Sequence, residues 1–163
     1  MFKRILIANR GEIALRIQRT CHAMGIPTVA LYADPDRRAR FVRDADEAIY
    51  IGPPVASGSF LAIDRILDGA AERGVDAVHP GYGFLAENAA FAAACAARGI
   101  TFIGPTPDAI ERMGNKSLAK DLAREAGVPV IPGFSARDVP LADILARAGD
   151  EVGFPLMVKA AYG

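Results

Sequence analysis

The sequence predicts an α/β protein whose strands form a parallel sheet. Short β-branched runs alternate with segments of helical periodicity, and glycine closes many of the connections between them. The first run, RILIA at residues 4–8, is apolar throughout, which is typical of a strand buried on both faces. Strands that alternate with helices through short connections form βαβ units, and the strands of such units are parallel.

The first part of the chain follows this alternation closely. Strands are predicted at residues 4–8, 28–32, 48–51, 75–78 and 100–103, with helices between them at 12–24, 60–71 and 89–97. The apolar residues of the first helix recur at helical spacing and share one face: Ile13, Ile17, Cys21 and Met24. Gly25 stands where a glycine commonly ends a helix, so we end the helix just before it.

Beyond the fifth strand the pattern changes, and helices predominate. Residues 106–108, Thr-Pro-Asp, supply the capping hydroxyl, the N1 proline and the first-turn acid of a helix, which we end at Gly114. Further helices are predicted at 116–126 and 141–148, and strands at 128–131 and 156–159. We place a domain boundary near Gly114, between segments 1–114 and 115–163. The second segment has about fifty residues, and too little sequence follows its last strand to complete a hydrophobic core.

Composition and charge narrow the classes of function. Hydrophobic residues make up 52% of the chain, and 19 basic residues balance 19 acidic ones, which argues against a broad nucleic-acid or membrane surface. Cys21 and Cys95 are predicted to be small core residues in a reducing compartment. No metal-ligand set is visible, no signal peptide is recognisable, and no stretch approaches the ~20 apolar residues of a membrane span. The sequence therefore predicts a cytoplasmic protein without a metal site of its own.

The stretch ILIANRGEIALRI, residues 5–17, places a tight loop between the first strand and the first helix. Dinucleotide-binding proteins carry G-x-G-x-x-G in this place, but here only Gly11 is present. The indication of a nicotinamide or flavin site is therefore weak. The helix dipole does not explain Arg10 in this loop, and a surface role is its plain explanation.

The stretch HPGYGFLAEN, residues 79–88, follows the fourth strand directly. Loops at the carboxyl ends of parallel strands are where such sheets bind ligands, and glycines on both sides of Tyr82 permit backbone conformations closed to other residues. A tight turn with Tyr82 on the surface explains the same pattern without a ligand. Both interpretations stay open on chemistry alone, and His79 by itself is most often a hydrogen-bonded strand-end residue.

Two lysines stand in positions that suit a phosphate. If Asn115 caps the helix at 116–126, Lys116 occupies the first turn, where a cation opposes the helix dipole and a phosphate would be attracted by the lysine and the free amides together. Lys159 ends the apolar run FPLMV and needs a partner or a route to solvent. Each lysine alone has a plain surface explanation, and the two together favour a phosphate site.

Several of these stretches together resemble the biotin carboxylases: ILIANRGEIALRI, the IGPP after the third strand, HPGYGFLAEN, FIGP, MGNK and FPLMVKAAYG. That family includes the biotin carboxylase subunits or domains of acetyl-, propionyl- and methylcrotonyl-CoA carboxylases and of pyruvate carboxylase. The resemblance extends over the whole chain in register, and IANRGEIA combined with HPGYGFLAEN is highly specific. It implies the first third of a longer catalytic module.

The resemblance implies an ATP-dependent carbon–nitrogen ligase of the ATP-grasp type. ATP and bicarbonate would form carboxyphosphate, and the ureido nitrogen of biotin on a carrier domain would then be carboxylated, with Mg²⁺ bridging phosphates. Residues 1–114 would form a Rossmann-like pre-ATP-grasp domain with a parallel sheet, and 115–163 the beginning of an ATP-grasp domain and its lid. The family's catalytic residues and metal ligands are expected beyond residue 163, so the chain alone is expected to be inactive.

The resemblance also assigns roles to particular residues. Lys116, Lys159 and Gly163 match positions at the ATP phosphates, and Tyr82 and Gly83 fall in the loop on the biotin and bicarbonate side. These five residues are the expected binding residues of the chain.

The partners implied are a biotin carboxyl carrier domain, a carboxyltransferase subunit, and a second copy in a homodimer. Arg16 and Arg19 match the family's dimer contact, although the acidic partner usual a few residues later is Ala23 here. Alternatives are another ATP-grasp enzyme, such as a carbamoyl-phosphate synthetase or a phosphoribosyl-aminoimidazole carboxylase, a non-catalytic nucleotide-binding module, or a purely structural interaction domain. The HPGYGFLAEN loop favours the biotin carboxylases among them.

Overall fold

The computed structural model describes residues 1–53, 61–136 and 139–159. Contacts divide the chain into two units, Met1–Ile110 and Glu111–Gly163. Within the described residues no helix has the length and apolar character needed to cross a bilayer.

The first unit is built on a five-stranded sheet in which every neighbouring pair is parallel. Its strands are β1 (Ile5–Ile7), β2 (Thr28–Tyr32), β3 (Glu47–Tyr50), β4 (Ala77–His79) and β5 (Thr101–Phe102), in the order β3-β2-β1-β4-β5. Leu6 of β1 lies opposite Val29 on one side and Val78 on the other, which places β1 at the centre. The predicted α/β class and the parallel sheet are confirmed.

Helices cover both faces of the sheet. The helices of the first unit are α1 (Gly11–Ala23), α2 (Arg40–Arg43), α3 (Ile63–Glu72) and α4 (Ala89–Ala97), with single 3-10 turns at Asp34–Asp36 and Phe84–Glu87. Side chains alternate along β1, so that Leu6 joins a core with α3 and α4 while Ile5 and Ile7 join a second core with α1 and α2. The predicted helix at 60–71 begins at Ile63; Phe60 lies outside the described residues.

The two cysteines occupy different cores, one on each face of the sheet. Cys21 belongs to the core under α1, and Cys95 to the core under α4. Both are buried, as predicted, and burial raises the pKa of the Cys95 thiol to about 11.

The buried face of α1 differs from the predicted one at two residues. Met24 is 53% exposed because the helix ends at Ala23 and Met24 is its C-cap, so its placement on the apolar face was wrong. Gln18 is buried instead, and its Nε2 donates to the carbonyl of Phe41 at 2.6 Å. A polar side chain can take this core position because α2 offers a backbone acceptor.

Among the described residues of the second unit, the regular elements are helices. α5 (Pro107–Gly114) begins in the first unit with the hydroxyl of Thr106 accepting from the amide of Ala109 at 3.3 Å, as predicted. α6 (Lys116–Glu125) and α7 (Leu141–Glu151) follow. Ala148 is the one buried residue among the described part of this unit.

The strands predicted at 128–131 and 156–159 are absent from the structure, which describes both segments. Ile131 and Val158 are 80% and 89% exposed, and neither segment pairs with another strand. A β-propensity pattern forms a strand only when a neighbour satisfies its backbone hydrogen bonds, and the described residues offer these segments none.

Candidate functional site

The sheet has one point at which its strand order reverses. From β1 the chain adds β2 and β3 on one side, and later adds β4 and β5 on the other, so the reversal lies between β1 and β4. In open parallel sheets, ligands bind outside the carboxyl ends of the strands at such a point. The segments that meet there are the residues after Ile7 and the loop after His79.

Asn9 joins these two segments. It is buried, 3% exposed, and its Nδ2 donates to the carbonyl oxygens of Pro80 and Tyr82, both at 2.8 Å. Its Oδ1 accepts from the amide of Arg10 at 2.9 Å. Asn9 therefore binds its own strand end and the neighbouring loop at once.

The loop after β4 has an unusual backbone. Gly81 and Gly83 have φ of +68° and +63°, and Phe84 follows with φ of +46°. Gly83 combines its φ with a ψ of −170°, a region reached essentially only by glycine. The two glycines flanking Tyr82 are thus required by the backbone, as the sequence indicated.

Glycine at position 81 also allows a close approach. A Cβ there would fall 2.8 Å from Nδ2 of Asn9 and 3.1 Å from Cγ1 of Ile13. The amide of Gly81 donates to Nδ1 of His79 at 3.1 Å, and burial lowers the pKa of His79. His79 is therefore neutral near pH 7 with Nδ1 as the acceptor.

The loop presents two aromatic side chains outward. Tyr82 is 62% exposed and Phe84 53%, while Leu85 just behind them is fully buried. The loop therefore places an exposed phenol at the carboxyl edge of the sheet.

Arg10 pairs with Asp36, which lies after β2. Its Nε and Nη2 donate to the two carboxylate oxygens at 2.8 and 2.5 Å, and this hydrogen bonding raises the pKa of Arg10. The side chain is about half exposed rather than free on the surface, and the ion pair ties the loops after β1 and β2 together. In a dinucleotide site, an acidic residue near the second strand binds the ribose. Here the carboxylate in that region, Asp36, instead accepts hydrogen bonds from Arg10.

Arg16 and Arg19 both lie exposed on α1. Arg19 lines a groove of about 270 Å³ between α1 and α2, together with His22, Arg40 and the acidic Asp44. The groove therefore carries charges of both signs.

Lys116 occupies the first position of α6, as predicted, and is exposed. We expected free backbone amides at the start of this helix, but two of them already have a partner. The amides of Ser117 and Leu118 donate to Oδ1 of Asn115 at 3.0 and 3.1 Å. Because Asn115 already takes two of the amides, the Lys116 ammonium is left as the main attraction for an anion.

Lys159 is exposed and lies in an irregular segment, and Gly163 lies outside the described residues. In the parts of the chain that the structure describes, no three histidine, cysteine or carboxylate side chains converge to hold a metal ion.

The sequence of the first unit matches a known protein family. The family model for the biotin carboxylase N-terminal domain matches residues 1–110. The chain belongs to this family.

Relatives of the biotin carboxylase family match the whole length of the chain, or nearly so. A biotin carboxylase of Halalkalibacterium halodurans is 54% identical over 168 residues, covering 100% of the chain and 36% of the relative. A biotin carboxylase of a Nostoc species is 51% identical over 99% of the chain and 36% of its own length. The chain thus spans about a third of the length of these relatives.

Solved biotin carboxylase structures share the fold. One of them is the biotin carboxylase domain dimer of Hydrogenobacter thermophilus 2-oxoglutarate carboxylase, solved with MgADP, ADP and bicarbonate. The match covers 100% of our chain and 36% of that chain. The TM-score is 0.89 at 47% identity. The fold of the chain is therefore similar to that of this biotin carboxylase domain.

Two residues of this biotin carboxylase edge were missed from the sequence. Asn9 and Asp36 form hydrogen bonds to residues that are distant along the chain. Asn9, for example, bonds to Pro80, which is 71 residues away. The position of Asn9 just after a buried strand was the available signal, since a polar side chain there reaches the neighbouring strand's loop.

Proposed function

We propose that this chain is the N-terminal part of a biotin carboxylase, an enzyme that uses ATP and bicarbonate to carboxylate biotin on a carrier domain. The observation that carries the proposal is the match of the entire chain, at about half identity, to the biotin carboxylase of Halalkalibacterium halodurans. The complete protein would serve an acyl-CoA or pyruvate carboxylase, whose carboxyltransferase selects the final acceptor.

The domain assignment follows from the same proposal. Residues 1–114 form the pre-ATP-grasp domain, and 115–163 begin the ATP-grasp domain and its lid. The division of contacts after Ile110, and the end of the family match at the same residue, support a boundary in α5.

In this enzyme the nucleotide is bound by Lys116, Lys159 and Gly163. The exposed ammonium of Lys116 at the start of α6 supports its role, since it opposes the helix dipole and has solvent access to a phosphate. Mg²⁺ would bridge the phosphates, with protein ligands beyond residue 163. Catalysis of phosphoryl transfer needs the whole set of charges around the γ-phosphate, so this segment alone is inactive.

Tyr82 and Gly83 face the biotin and bicarbonate side of the site. Their position at the strand-order reversal supports this role, as does the restrained backbone that leaves the Tyr82 ring exposed. The loop supplies shape and a phenol hydroxyl; the reacting charges come from elsewhere in the enzyme.

The partners proposed are the biotin carboxyl carrier domain, the carboxyltransferase and a second copy of the enzyme. The homodimer contact would include Arg16 and Arg19, and their exposure on α1 is compatible with it. A reducing, cytoplasmic compartment is proposed because both cysteines are unpaired and buried.

A chimeric enzyme tests the function directly. The chain would replace the matching first part of the Halalkalibacterium halodurans biotin carboxylase, and bicarbonate-dependent ATP hydrolysis with free biotin would be measured. The expected result is activity that depends on both bicarbonate and biotin, with none from the 163-residue chain alone. A folded chimera that hydrolyses no ATP in the presence of biotin would contradict the proposal.

A further inference from the structure

We propose that Asn9 is a positioning residue, whose side chain holds the loop 80–83 in the conformation that directs Tyr82 and Gly83 toward their ligands. The inference rests on the proposed function for the roles of these two residues. The restraint itself stands on the geometry of this chain.

The loop needs an external restraint because its backbone is costly. Gly83 lies in a sparsely populated region of φ and ψ, and Phe84 is a bulky residue with positive φ, for which this region is strained. Such a backbone persists only where the surroundings over-determine it. Within the loop, the bonds from the Gly81 amide to His79 and from the Ala86 amide to Gly83 fix its two ends.

Asn9 restrains the middle of the loop from another strand. Its two N–H groups are both used on the carbonyls that flank Gly81, those of Pro80 and Tyr82. The peptide group between Tyr82 and Gly83 is thereby fixed in orientation. An amide is the suitable group here because it offers two donors to the loop and one acceptor to the amide of Arg10.

The contact between Asn9 and Gly81 is close enough to exclude any side chain at position 81. The nearest atom to a Cβ there would be Nδ2 of Asn9, at 2.8 Å. An alanine would therefore displace the loop from Asn9 as well as strain its φ. Gly99 is a matched control, because its φ is also +68° and a Cβ there would meet no atom within 4 Å.

The first test measures the restraint in the 163-residue chain, without assuming any activity. Amide exchange followed by NMR should show the Gly81 amide exchanging at least about tenfold faster in Asn9→Ser, since the loop is freed to open locally. The amide of Gly99, bonded to the Ala96 carbonyl, should keep its rate. An unchanged rate at Gly81 would overturn the proposal.

A comparison of Gly81→Ala with Gly99→Ala covers the case in which Asn9→Ser unfolds the domain and Gly99 also exchanges faster. Gly81→Ala should accelerate exchange of the Ala86 amide, which donates to the carbonyl of Gly83, and Gly99→Ala should not. If Asn9→Ser folds, Gly81→Ala should lower the free energy of unfolding by less in Asn9→Ser than in the native sequence. The reason is that the nearest clashing atom, Nδ2 of Asn9, has been removed. Equal exchange in Gly81→Ala and Gly99→Ala would overturn the restraint.

The second test measures its consequence in the chimeric enzyme. Asn9→Ser should raise KM for biotin and bicarbonate by about 10- to 100-fold, the effect of misplacing a binding group by about 1 Å, with KM for ATP within about twofold. KM values for all three substrates that rise together, or not at all, would overturn the positioning role. An inactive unaltered chimera would count against the proposed function, while the exchange measurement still decides on the restraint.

Discussion

Arg10 and Asp36 form a two-contact ion pair between the loops that follow β1 and β2. The carboxylate is nearly buried, with a side-chain exposure of 10%, while the guanidinium is 48% exposed. The pair is therefore asymmetric, since Arg10 can be hydrated when alone and Asp36 cannot.

Replacing Arg10 by glutamine should destabilise the first unit by about 1–3 kcal/mol, because it leaves a buried carboxylate without its charged partner. Urea unfolding followed by far-UV circular dichroism measures the change. The control is Arg40→Gln, which breaks an exposed i,i+4 pair with Asp44 and should cost less than about 0.5 kcal/mol. Equal losses from the two variants would show that Asp36 does not depend on Arg10.

This ion pair also marks the limit of what the sequence predicted. The five strands of the parallel sheet and the helices α1, α3 and α4 followed from periodicity, because apolar spacing depends on residues close in the chain. The pairing of Arg10 with Asp36, and of Asn9 with the loop after β4, depends on which strands are neighbours in the sheet. No local pattern contains that information.

The two failed strand predictions have a related cause. The runs at 128–131 and 156–159 have the composition of strands. A strand also needs a neighbouring segment to pair with, and the described residues supply none for either run. At the candidate site, glycine requirements were predictable because they concern a single residue's φ. The burial of Gln18 was not predictable, because its bond to the carbonyl of Phe41 joins two different helices.

In the chimeric enzyme, Lys116→Gln and Lys159→Gln should each lower kcat/KM for ATP by an equivalent of about 1–3 kcal/mol, the scale of a charge-assisted hydrogen bond. Steady-state kinetics at varied ATP measures this. Lys120→Gln is the control on the same helix, since the Lys120 ammonium donates to the carbonyl of Ile131 at 3.1 Å. Unchanged ATP kinetics in both lysine variants would refute their assignment to the phosphates.

Reversing the charge at Arg16 should weaken the proposed homodimer of the chimeric enzyme. Arg16 is exposed on α1, so substitution by glutamate alters the surface without disturbing the core. Sedimentation velocity over a range of concentrations should show the dimer dissociating at higher protein concentration in the variant. Glu72→Arg changes the charge by the same magnitude, with the opposite sign, on α3, which packs on the other face of the sheet, and should leave the dimer unchanged. An identical dissociation profile for both variants would contradict a dimer contact at Arg16.

His79 should make the loop after β4 sensitive to mild acid. Burial lowers the pKa of His79 in the folded chain below its ordinary value of 6.5, so the folded state prefers the neutral ring. Its stabilising contribution is complete above pH 6.5 and is lost as the pH falls from 6.5 through the lower folded pKa, because the unfolded chain takes up the proton first. Protonation also removes the Nδ1 acceptor from the amide of Gly81.

His79→Asn provides the comparison, since an asparagine oxygen can accept the Gly81 amide as Nδ1 does but has no charge to gain. The free energy of unfolding of the native sequence should fall between pH 7 and pH 5 by more than that of His79→Asn, and exchange of the Gly81 amide should accelerate over the same interval. The two proteins differ only at position 79, so the difference between their profiles isolates His79. Parallel pH profiles would mean that folding does not disfavour the protonated ring, and would contradict the prediction.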